Sequence, residues 1–122
     1  MADRRPKLIF DAISAIRAAT SFCATASLLQ YQQDLMLRSA VERQLEILGE
    51  ACTRLLREHN TLVDELPAAR LAIGLRNRII HGYDNIDDET VFNTVTQDLA
   101  TFEAGLRTWL HTLDPNAPEL PS

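Results

Sequence analysis

Arg76 and His81 stand five residues apart in "GLRNRIIHGYD", residues 74–84, with Asn77, Arg78 and Tyr83 beside them. A guanidinium, an imidazole, an amide and a phenol within about two helical turns, with no acid between them, suit an anionic substrate whose reaction moves a proton. Five is an awkward helical spacing. At 100° per residue the two side chains lie about 140° apart around the axis and share no face. Asn77 and His81, four apart, do share one, so Asn77 is placed to orient the imidazole. Leu75 and Ile79, with Ile80 beside them, take the buried stripe and push the polar residues toward a surface or an interface. The plainer reading is structural: Arg and His near a helix C-terminus meet the negative end of its dipole, and Tyr83 covers the bundle as an ordinary aromatic lid.

The 140° separation has a use if the same helix of a second copy faces this one. Arg76 of one protomer and His81 of the other then line a shared cleft. RNA cleavage needs those parts. A base takes the proton of the ribose 2′-OH, an acid protonates the departing 5′-oxygen, and a cation steadies charge on the pentacoordinate phosphorus. Histidine titrates near neutral pH and can serve as either acid or base. The nucleophile belongs to the substrate, so the reaction calls for no metal and no cofactor, and DNA is inert to it.

The rest of the chain must position this cluster. Its 122 residues are enough for one domain with a core. No apolar run approaches a membrane span and no leader pattern is present, so the expected location is the cytoplasm. Cys23 and Cys52, without metal-like spacing, read as buried reduced thiols. His59 and His111 have no acidic or cysteine partner at ligand spacing, and no metal site is predicted. The net charge of −5 argues weakly against a surface that coats nucleic acid. Its distribution is uneven: from Asp84 onward eight acids face the single base Arg107, whereas Arg38 to Arg78 holds seven arginines against six acids. Arginine suits bidentate phosphate contacts, and a genome rich in G and C produces the same bias.

Apolar spacing is helical nearly throughout. Leu8, Ile9, Ala12, Ile13, Ile16 and Ala19 mark a first helix with Pro6 in its first turn. A short additional helix fits around Leu28 and Leu29. A long helix from about Asp34 to His59 carries the stripe Leu37, Val41, Leu45, Leu48, Cys52 and Leu55. Pro67 opens a helix that runs to about His81, with Gly82 as its left-handed terminator. The last helix, capped by Asp87 or Asp88, carries Val91, Val95, Leu99, Phe102, Leu106, Trp109 and Leu113. The expectation is an all-α antiparallel bundle of four main helices plus the short one, over residues 1–113, with 114–122 as a disordered tail. Gly49 and Gly74 are expected to let helices approach closely. The two long stripes exceed what one small bundle covers, which favours a two-fold dimer.

"RNRIIHGY" resembles the motif of the HepT-like toxins in the HEPN superfamily: arginine, any four residues, histidine, any residue, tyrosine. "AVERQLEILGEAC" in the long helix resembles a second family segment, in which Glu46 and Glu50 match. "IGLRNRIIHGYDNIDDETVFNTVTQDL" resembles the family's junction between its third and fourth helices. The likeness covers roughly Lys7 to Leu113. It implies a HEPN-like homodimer with a metal-independent ribonuclease site, Arg76 and His81 being the catalytic pair and Asn77 and Arg78 polar support. It further implies a toxin–antitoxin pair whose antitoxin is an MntA-like nucleotidyltransferase that attaches AMP to Tyr83. Glu50 also has an ordinary explanation, a surface ion pair with Arg54 four residues on. A non-catalytic HEPN subunit that binds a nucleotide or recruits substrate for its nucleotidyltransferase is the alternative the residues leave open.

Overall fold

A computed structural model describes residues 2–82 and 86–117, and among these the chain is helical without a strand. Helix α1 (Arg5–Cys23) has Pro6 in its first turn and buries Ile9, Ala12, Ile13, Ile16 and Ala19 completely. The short α2 (Leu28–Gln33) opens on a reciprocal cap: the Gln30 amide donates to the Ser27 hydroxyl and the Ser27 amide to the Gln30 side-chain oxygen. Asp34 caps α3 (Leu35–Glu58) by accepting from the Leu37 amide at 3.0 Å. At 1.5 Å per residue, α3 is roughly 36 Å long. Its stripe faces the core as the spacing predicts, with Val41, Leu45, Leu48, Cys52 and Leu55 buried and Leu37 partly so.

A one-turn helix, α4 (Leu62–Glu65), comes next, in a stretch whose sequence carries no helical stripe; Leu62 anchors it in the core. Helix α5 (Ala68–Ile80) begins after Pro67 and stops where Gly82 takes a φ of 63°, the left-handed conformation expected of it. Helix α6 (Asp88–Asn93) is capped by Asp87, whose carboxylate accepts from the Glu89 amide and the Thr90 hydroxyl.

Between α6 and α7 (Leu99–Leu113) lies a π-helical segment, Thr94–Asp98. Thr94 and Thr96 turn their hydroxyls back onto the carbonyls of Thr90 and Phe92, a bond that competes with the helix ladder. Within α7, Leu110 is buried with Leu99, Phe102 and Leu106, whereas Trp109 and Leu113 of the expected stripe are only partly buried.

α1 packs between α3 and α7, and α5 lies along the other side of α3. Arg17 meets Glu103 at 3.9 Å, while Pro6 and Phe10 lie with Leu110 and Ala117, so α1 and α7 run antiparallel. The expected all-α antiparallel bundle is the observed one. Cys23 and Cys52 are both buried and unbridged, and burial pushes the Cys52 thiol up to about 12. No described helix is long and apolar enough to cross a membrane. The tail expected from residue 114 is described only to Ala117, which packs against the core; the remainder lies outside the described residues.

Candidate active site

The last two turns of α5 carry the sequence motif, and α3 sets their position. Gly49, buried in the middle of α3, faces α5 so closely that an added Cβ would lie 2.1 Å from the Arg76 Cβ and 2.8 Å from the Ala72 carbonyl oxygen. Only a bare backbone fits there. Gly74 differs: nothing lies within 4 Å of the Cβ it lacks, so of the two glycines expected to allow close approach only Gly49 does so. Ala69, Ala72 and Leu75 fill the rest of the seam.

This contact delivers Arg76 to Glu50, the residue after Gly49. The Arg76 Nη2 donates to Glu50 Oε2 at 2.8 Å, and Nη1 donates to the Asn77 side-chain oxygen at 3.1 Å. Glu50 Oε1 accepts from Arg54 Nε at 3.0 Å, so one carboxylate holds two guanidiniums. The expected Glu50–Arg54 pair exists, and the link to Arg76 is what sequence reasoning missed. The two residues are 26 positions apart on different helices, and no periodicity joins them. Asn77, expected to orient His81, gives its side-chain oxygen to Arg76 instead; its backbone carbonyl accepts the His81 amide at 3.1 Å.

Arg76 lines a groove of about 610 Å³ where α1, α3 and α5 meet. Arg43, Glu46, Glu50 and Arg54 line it from α3, Asp11 from α1, and Ile80, 43% exposed, from the end of α5. His81 is the C-terminal cap of α5, exposed, with φ −87° and ψ 1°. That bridge conformation is sparsely populated and recurs among active-site residues. Arg78 is exposed in the last turn of α5, where its charge complements the helix dipole. Tyr83, the expected modification site, lies outside the described residues.

The connection after the motif is tied down at its far end. Arg38 donates to the carbonyls of Tyr31 and Gln32 and approaches Asp88 at 3.9 Å, joining the end of α2 and the start of α6 to α3. Another polar cluster lies near the opposite end of α5. There His59 pairs with Glu65, an acidic partner six residues away that ligand spacing does not reveal, and its ring lies 4.9 Å from that of Trp109. Thr61 and Glu65 both approach the same His59 nitrogen, Nε2, so the trio is not a proton relay, which would use both ring nitrogens.

Comparison with known proteins gives the chain a family. The model of the family described as ribonuclease HepT-like matches residues 12–108. The chain is 28% identical over 93 residues to "Probable ribonuclease HepT" of Thermococcus cleftensis, covering 76% of this chain and 84% of that protein. It is 28% identical over 91 residues to "Putative RNase MJ1380" of Methanocaldococcus jannaschii, covering 75% and 83%. It is 29% identical over 73 residues to "Putative RNase TTE0752" of Caldanaerobacter subterraneus subsp. tengcongensis, covering 60% and 64%. No solved structure matches the chain significantly. The matched span includes the whole α3–α5 seam and the motif on α5, and the chain belongs to the ribonuclease HepT-like family.

Proposed function

We propose that this chain is a metal-independent ribonuclease of the HEPN type, acting as the toxin of a toxin–antitoxin pair, with Arg76 and His81 as its catalytic pair. The observation that carries this reading is the end of α5. A half-buried arginine, ion-paired to Glu50 of α3, and an exposed cap histidine stand five residues apart at the end of one helix, in a chain whose family is ribonuclease HepT-like.

That spacing fits a site shared by two copies. In a homodimer whose α5 ends adjoin across a two-fold axis, Arg76 of one subunit and His81 of the other flank one phosphodiester, and the symmetry supplies a second such set. His81 in neutral form takes the 2′-OH proton as the 2′-oxygen attacks phosphorus. Protonated imidazole returns a proton to the leaving 5′-oxygen, giving a 2′,3′-cyclic phosphate and a 5′-hydroxyl. Arg76, already ordered by Glu50 and Asn77, steadies the charge on the non-bridging oxygens without having to be immobilised during the reaction.

Restraint of the toxin uses the same geometry. An MntA-like nucleotidyltransferase transfers AMP from ATP to the hydroxyl of Tyr83 and releases pyrophosphate. The added phosphate, two residues beyond His81, blocks RNA and competes for the nearby guanidiniums. The cytoplasm, where RNA and ATP are both found, is the proposed location.

The test is incubation of a mixed RNA pool in EDTA with the purified protein and with His81→Ala. Wild type should cut and leave 2′,3′-cyclic phosphate ends, while the variant, unchanged in melting temperature, should be at least about 10³-fold slower. Equal cutting by both would remove His81 from the chemistry, and no cutting by either would favour a non-catalytic subunit. Co-expression with the nucleotidyltransferase should add AMP to wild type but not to Tyr83→Phe, as read by intact mass. A modified Tyr83→Phe protein would place the AMP elsewhere.

A further inference from the structure

Beyond the pair in the motif, the groove holds a second guanidinium tied to the first. Arg54 and Arg76 come from different helices, yet both hydrogen-bond the one carboxylate of Glu50, each to its own oxygen, at 3.0 and 2.8 Å. Two arginines brought this close repel each other unless a carboxylate stands between them. Glu50 supplies that charge and leaves the group of three with a net charge of +1. Each guanidinium has five N–H donors. Arg54 commits its Nε to Glu50, and Arg76 commits one donor to Glu50 and one to Asn77. The remaining donors lie at the groove wall, and the Arg54 side chain is 60% exposed.

Arg43 is on the same wall but is engaged by Glu46 at 3.3 Å, one carboxylate for one arginine. Asp11 is paired with Lys7 at 3.1 Å, and Glu103, which also holds two arginines, lies outside this groove. Among the described residues lining the groove, Glu50 is therefore the acid that holds two cations and leaves positive charge over beside α5.

We propose that Glu50 is a positioning residue that holds Arg54 beside Arg76 as a two-arginine receptor for the backbone phosphates of single-stranded RNA. Arg54 binds the strand next to the scissile phosphate and Arg76 the scissile phosphate itself. The proposal rests on the ribonuclease reading for its substrate. Arg78, the second cation that sequence proximity suggests, is not part of the receptor, since α5 points it away from the seam and into solvent. Arg54 is invisible to motif spacing because it belongs to α3.

Two measurements test this. The first is binding of an uncleavable 2′-O-methyl RNA strand over a range of salt concentrations by wild type, Arg54→Ala, Arg54→Lys and Arg78→Ala. Arg54→Ala should weaken binding about tenfold at low salt and reduce the slope of log Kd against log salt by about one phosphate contact. Arg54→Lys should restore the slope but not the full affinity, since lysine keeps the charge and loses the fork. Arg78→Ala should change binding less than Arg54→Ala does. The second measurement is steady-state cleavage by Glu50→Gln. A neutral amide cannot hold two guanidiniums, so kcat should fall about tenfold or more while KM changes much less, with the helical circular dichroism and melting profile retained.

An Arg54→Ala protein with wild-type affinity and salt slope overturns the receptor. So does a Glu50→Gln protein with raised kcat/KM, which would make Glu50 a plug in the phosphate's place rather than a support. Wild type that does not bind the strand at low salt overturns it as well. Wild type that binds through Arg54 yet cuts no RNA leaves the receptor standing and removes the ribonuclease reading instead. Cutting that is indifferent to Arg54 and Glu50 does the reverse.

Discussion

Glu42 shows how burial and charge act on a single side chain outside the site. Burial raises its carboxyl above the ordinary range, neighbouring Asp88 and Glu46 push it the same way, and Arg38 partly opposes them. A raised folded-state value means that the folded chain binds the proton more readily than the unfolded one. Stability contributed by this group therefore grows as pH falls through the raised value toward the ordinary one near 4.5, and is lost as pH rises. Glu42→Gln should accordingly raise the melting temperature at pH 7, and the gain should shrink to nothing by about pH 4. A gain that is the same at both pH values would mean that shape rather than charge is responsible. Legibility at this scale was mixed. Arg76, His81 and the Gly82 terminator can be read from their types and spacing, because a helix end is a local event. The Glu50–Arg76 link cannot, and neither can the difference between Gly49 and Gly74, since each depends on which residue another helix brings opposite.

Caps and stripes decide the elements, and most are readable. Asp34 and Asp87 cap the helices they precede, and the α3 stripe is buried as its steps of three and four require. The π segment escapes such reading because Val91, Val95 and Leu99, spaced by four, fit a slightly overlong α pattern as well as a widened turn. The terminator of α5 matters most, since the chain must leave the helix immediately after His81. Gly82→Ala places a Cβ in the left-handed region at a cost of about 1–2 kcal/mol. Denaturant titration should show that loss. Cleavage should fall further than stability does, because the strain is released by turning the backbone next to His81. A variant that loses stability but cleaves at the wild-type rate would show that the exit direction of the chain is unimportant to the site.

At the scale of the whole molecule, the question is whether one chain or two make a site. Arg76→Ala and His81→Ala each remove half of every shared site. Mixed by co-expression, half of the dimers are heterodimers, and each of these retains one site in which both residues are intact. Activity should return to about a quarter of the wild-type level, from two proteins that are separately inactive. Continued inactivity of the mixture, with heterodimers demonstrated by mass, would put both residues in one chain's own site. The bundle is legible from sequence because a helical period runs through almost all of it. The excess of apolar stripe expected to call for a second copy is not there, since Val41, Leu45, Leu48, Cys52 and Leu55 are at most 1% exposed within the single chain. The separation of about 140° between Arg76 and His81 is what remains in favour of one. Ile80 is left 43% exposed among the groove's lining residues, at the end of α5 that carries the motif.

The bare backbone at Gly49 has a consequence for heredity. If the chain is the toxin proposed above, a cell that carries this gene without its restraint survives by losing the activity. Codons 76 and 81 are the obvious places for that loss, but codon 49 is a third, because any side chain there collides with the stem of Arg76. Survivors recovered from such a selection should include full-length alleles altered at codon 49, with the motif on α5 intact. Reverting them should take a compensating change on α5 rather than any change in the motif's chemistry.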